Sequence, residues 1–177
     1  MQIRRAVAGT AAAVSRAGLW LSMLALVGIL VIVVFAVMGR YLGLWTILGA
    51  DELSGYGLVA LVFFGFAHTF RAGGFIRVDT FLKRTRGWGR RVLEVLLHLV
   101  ALAFVLLLGV YLWRFVADSY RFQVTSIGLL RVPLYVPQAV VVVGAAALAL
   151  QTLANLLERL LAPLGEEVGP ARGPSEI

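Results

Sequence analysis

Two histidines are the side chains of this 177-residue sequence whose type and placement come nearest to a reactive site. His68 and His98 each fall inside a long apolar stretch, where an ionisable group is costly to hold and is the first suspect for function. Glu94 precedes His98 by four residues, a spacing that puts the two on one helix face. The histidines also fall at similar depth on one side of a helix bundle, which is the placement of a bis-imidazole haem site. A b-type cytochrome or quinone-reactive membrane anchor using His68 and His98 is therefore one reading. The plainer reading is preferred, because membrane cytochromes usually repeat such pairs: each histidine packs between helices or donates to a neighbour at the interface.

The remaining candidates are weaker. Asp51 and Glu52 have the chemistry of ion ligands or a proton path, but they flank an apolar stretch instead of lying within it, which suits a helix-terminal, water-facing role. Arg114, Asp118 and Arg121 recur at helical spacing and read as a solvated pair network worth little energy. The sequence has no cysteine, which excludes disulfides, thiolate zinc sites, iron–sulfur clusters and cysteine nucleophiles. No serine–histidine constellation and no glycine-rich phosphate loop after a strand is present. Neither an enzyme nor a cofactor or metal site is expected.

The elements that must carry these residues follow from hydrophobicity. Hydrophobic residues make up 61% of the chain, and the mean hydropathy is +0.94. Soluble domains hold roughly 45–50% apolar residues, and a bilayer crossing takes about 20. The expected fold class is all-α integral membrane: four transmembrane helices with an interfacial amphipathic segment between helices 2 and 3. The spans are read at about 19–38, 53–70, 92–113 and 134–157. The third is open to extension past Arg114 towards Tyr120. Pro133 and Pro137 open the fourth, where the first helical turn tolerates proline. Residues 1–18 are expected to be a cytoplasmic segment, 19–157 the membrane domain, and 158–177 a disordered cytoplasmic tail. A cleaved signal peptide is the rival for the first run, but its apolar region would be only about 7–15 residues long.

Orientation comes from the arginines and lysines of the short loops. Twelve fall in the termini and the connection between spans two and three, against four on the other side: Arg40, Arg114, Arg121 and Arg131. That imbalance puts both termini in the cytoplasm. The segment 75–91 mixes Phe75, Ile76, Val78, Phe81, Leu82 and Trp88 with Arg77, Lys83, Arg84, Arg86, Arg90 and Arg91. It is expected to lie on the inner leaflet with its cations among anionic headgroups, so lipid and not nucleic acid is the partner the charge implies. Within span two, Ser54, Gly57, Leu61, Gly65 and His68 share an arc of roughly 80°, a small and polar face for close helix packing.

From Asp51 to Asp79 the chain reads DELSGYGLVALVFFGFAHTFRAGGFIRVD, after Arg40-Tyr41 at the end of span one. This resembles the small (DctQ-type) membrane subunit of tripartite ATP-independent periplasmic (TRAP) transporters. The matching positions are Arg40 and Tyr41, the acidic pair Asp51 and Glu52, and then Arg71, Gly73, Gly74, Ile76, Arg77, Val78 and Asp79. Ser126 to Pro137, SIGLLRVPLYVP, is similar to the loop before the family's last span. Phe75 departs from the pattern, standing where many relatives carry histidine.

The resemblance covers roughly residues 19–157. It implies a bacterial inner-membrane subunit that carries no substrate itself. The expected partners are a large permease subunit, which does, and a periplasmic solute-binding protein that delivers an organic acid or related solute. It implies ion-gradient-driven uptake, commonly with sodium, and a small subunit that braces the scaffold. A self-sufficient small transporter built from four-helix dimers is a further alternative, but the polar midplane site it needs is missing.

Overall fold

The computed structural model describes residues 2–72 and 88–161, with side chains described for 9–72, 88, 89 and 91–160. Most of the expected interfacial segment, including Ile76, Arg77 and Asp79, lies outside the described residues, as do Gly73 and the tail after 161.

Among the described residues four helices follow one another: α1 (Gln2–Leu42), α2 (Ala50–Arg71), α3 (Trp88–Arg121) and α4 (Tyr135–Leu161). All four are long and apolar enough to cross a membrane. The protein is an all-α membrane protein. Three of the helices run several residues past the apolar runs that announce them. α1 reaches back to Gln2, so the expected N-terminal segment is helical, and α4 continues through Leu161. α3 passes Arg114 and stops at Arg121.

The helix ends have local causes. α1 closes where Gly43 takes a left-handed φ of 66°, so that Leu44 N–H reaches Gly39 O at 3.1 Å and Gly43 N–H reaches Arg40 O at 3.4 Å. That is the paired Schellman closure. α3 ends in the same pattern, with Val124 N–H on Ser119 O at 3.0 Å, but its left-handed residue is Gln123, at φ 48°. α2 opens with Asp51 and Glu52 in its first turn, where the helix dipole favours anions. Pro137 sits in the first turn of α4, whereas Pro133 stands before the helix and pairs with Thr125 in an isolated antiparallel bridge.

α1, α2 and α4 pack against one another, and α3 packs chiefly against α4. Most side chains sealed between them are small, Ala11, Ser15, Ala67, Ala145, Thr152 and Ala154 among them, with Val105, Gln151 and Leu156 the larger buried residues. Most large apolar side chains face outward instead, Leu24, Leu30, Phe104 and Trp113 among them. Water would not tolerate that distribution. In lipid, where tails are as apolar as leucine, close backbone approach between small residues drives association.

Candidate functional site: seams and latches

The α1–α2 seam is built from small residues on both helices. A Cβ on Gly18 would lie 2.5 Å from Phe64 O, and one on Gly57 would lie 2.7 Å from Ile29 Cγ1. At Gly65 the nearest neighbour would be Ser22 Oγ, at 3.3 Å. Ser22 Oγ donates to Leu61 O at 2.8 Å, so the serine crosses the seam instead of bonding within its own helix. The small and polar face read in span two is thus turned to α1 at Gly57, Leu61, Gly65 and His68. The α2–α4 contact is crowded by more atoms: a Cβ on Gly144 would lie 2.5 Å from Phe63 O, 2.6 Å from Phe63 Cβ and 2.8 Å from Phe63 C.

Polar ties close the end at which α1 begins and α4 finishes. Ser15, fully buried, meets His68 Nδ1 at 3.4 Å, and Arg71 Nη1 donates to Ala12 O at 3.2 Å. On the other flank Glu94 forms an ion pair with Arg159. Arg91 Nη2 donates to Arg159 O at 3.2 Å and Leu160 O at 3.1 Å, placing a cation on the exposed carbonyls at the end of α4. His98 Nδ1 donates to the Glu94 carbonyl at 2.8 Å, and the His98 ring meets Phe70 edge-on at 6.4 Å. The two histidines therefore engage different neighbours, His68 on α1 and His98 on its own helix and α2. Glu94 gives its backbone carbonyl to His98 and its carboxylate to Arg159. This geometry gives the haem reading no support.

The opposite end is held by Glu52. Its Oε1 accepts from Tyr56 Oη at 2.7 Å and its Oε2 from Leu130 N–H at 3.4 Å, with Ser126 beside it. Gly128 approaches the same carboxylate so closely that a Cβ there would overlap it. Glu52 thereby ties the start of α2 to the α3–α4 connection, whereas its neighbour Asp51 is exposed. Of the remaining predicted residues, Arg40 and Tyr41 form the exposed last turn of α1, and Ser54 Oγ is buried. Arg114, Asp118 and Arg121 are exposed on α3, and no ion pair joins them. Among the described residues no group of three or more histidine, cysteine, aspartate or glutamate side chains is placed to hold a metal ion.

Sequence reasoning missed three contributors. The stripe Ala11, Ser15, Gly18 and Ser22 was a legible signal, because small residues at those intervals share one helix face. Gly144 stood in a run of valine and alanine with nothing to single it out. Arg91 capping α4 required knowing that α3 and α4 are antiparallel neighbours.

The class these features define is a multi-pass α-helical membrane protein whose polar groups tie helix to helix. The chain belongs to the family described as tripartite ATP-independent periplasmic transporters, DctQ component, whose model matches residues 29–162. No curated protein and no solved structure matches it. Members of this family are transporter components, not enzymes, and work with a large permease and a periplasmic binding protein. The protein is accordingly a small TRAP transporter subunit of the inner membrane.

Proposed function

We propose that this chain braces the large permease subunit during ion-gradient-driven uptake of an organic acid or related solute, which a periplasmic binding protein delivers. The observation that carries this reading is the tying of the helices at both ends. Arg71–Ala12 and Glu94–Arg159 lock one end, Glu52–Leu130 locks the other, and glycine-tight seams run between. Such a unit resists internal rearrangement because packed small-residue seams leave no slack. It is suited to stand still while another subunit moves.

The excess of arginine and lysine on one side supports cytoplasmic termini. The basic connection between α2 and α3 supports an anchor on anionic inner-leaflet lipid. The reading is tested by expressing the chain with its large subunit and solubilising both. The two copurify, and the chain purified alone mediates no solute flux in proteoliposomes. Flux from the chain alone would overturn the proposal.

A further inference from the structure

The connection between α3 and α4 exposes more apolar surface than a loop in water carries. Ile127 is 106% exposed, Phe122 78% and Leu129 74%. Large apolar side chains grouped in this way mark a surface that something covers. We propose that residues 122–134 lie in the phospholipid headgroup layer at the membrane face opposite the termini. Phe122, Ile127 and Leu129 enter the acyl boundary there, and Arg121 and Arg131 reach lipid phosphate.

Four observations place the loop at that depth. First, Leu130 N–H bonds to Glu52 and the Leu130 side chain covers Gly49, so the loop is held level with the start of α2. From that level α2 enters its apolar run at Leu53, and α4 begins at Tyr135, directly after the loop. Second, α3 has 34 residues, a length of about 51 Å, whereas the bilayer with its headgroups is about 40–45 Å thick. A helix held chiefly by α4 accommodates that excess by tilting, which brings its outer end down to the interface. Phe104, Tyr111 and Phe115 share an exposed face of α3, and Phe122 resumes that face beyond the exposed Asp118.

Third, the loop pairs part of its own backbone across its base. Ser126 N–H bonds to Val132 O and Leu134 N–H to Val124 O, both at 2.9 Å, around the Thr125–Pro133 bridge. Internal pairing of this kind is what a segment needs where water is scarce. Fourth, Arg114, Arg121 and Arg131 are exposed here against the single acid Asp118 on the same stretch. Their long stems let the cations reach phosphate while the apolar side chains sink.

Because the chain has no cysteine, single-site labelling is clean. Ile127→Cys and Leu129→Cys, each carrying a nitroxide, would be studied in the full chain together with the subunits that copurify with it, in phosphatidylethanolamine–phosphatidylglycerol vesicles. The measurement compares relaxation by oxygen, which partitions into lipid, with relaxation by a water-soluble nickel chelate. Oxygen is expected to dominate at both sites, more strongly as the phosphatidylglycerol fraction rises. Dominance of the nickel chelate would place the loop in water, and access to neither reagent would place it under a partner protein. Either result overturns the proposal.

Discussion

Gly144→Ala adds one methyl group at the most crowded contact between helices and should destabilise the fold by forcing α2 and α4 apart. The added carbon would lie 2.5 Å from Phe63 O, 2.6 Å from Phe63 Cβ and 2.8 Å from Phe63 C. Carbon contacts settle at about 3.5–4.0 Å, so the helices must separate by about 1 Å, and a gap of that size forfeits a quarter to a half of the dispersion energy of each contact it opens. Two of the three blocking atoms are backbone, which no rotamer change can clear. Overpacking of this kind costs about 1–3 kcal/mol. Gly109→Ala is the control, because nothing lies within 4 Å of a Cβ there. Both changes gain the same helix propensity, about 0.5–1 kcal/mol, so their difference isolates the clash. The two variants should differ by about 2 kcal/mol, roughly thirty-fold in the folded-to-unfolded ratio. Graded SDS unfolding in mixed micelles, followed by far-ultraviolet circular dichroism, measures this directly. Coincident unfolding curves for the two variants would refute the account of the seam.

Three further changes extend the test. Gly65→Leu drives a branched side chain towards Ser22, whose Oγ already lies 3.3 Å from the position of a Cβ, and should cost about 1–3 kcal/mol in the same SDS titration. Glu52→Ala strips the acceptor from Tyr56 Oη and Leu130 N–H and should cost about 1–3 kcal/mol, while Glu52→Gln, which still offers one oxygen, loses less. Gln123→Gly relieves the left-handed residue at the end of α3 and should stabilise by about 1 kcal/mol, read as a raised thermal midpoint in detergent.

Much of the fold was legible because lipid imposes a simple rule. A run of about 20 apolar residues has to span, and four such runs were present. What lay beyond the hydrocarbon was harder to read. Arg4, Arg5 and Arg16 keep the first part of α1 out of the apolar run, so hydropathy did not announce that Ala11 and Ser15 are buried, and only the small-residue stripe they share with Gly18 and Ser22 signalled it. Glu158 and Arg159 looked like the start of a solvated tail, yet Arg159 completes a pair with Glu94 and the α4 backbone around it receives Arg91. Pairing between distant segments carries no local signal. The polar face of α2 could be drawn on a helical wheel from Gly57, Leu61, Gly65 and His68, but whether it met another helix of this chain or a partner required the three-dimensional arrangement. The acidic pair shows the same limit. Asp51 and Glu52 are equivalent as sequence, and only the folded loop separates the exposed residue from the one that receives Tyr56 and Leu130.

The claim that this subunit stands still during transport is tested most directly by locking its own helices together. A Cβ on Gly65 would lie 3.9 Å from Ser22 Cβ, within the separation a disulfide spans, and no native cysteine competes. Ser22→Cys with Gly65→Cys, assembled with the large subunit in proteoliposomes, should take up solute at the same rate oxidised and reduced. Uptake that stops on oxidation and returns with a reductant would show that α1 and α2 move against each other during the cycle, contradicting the brace.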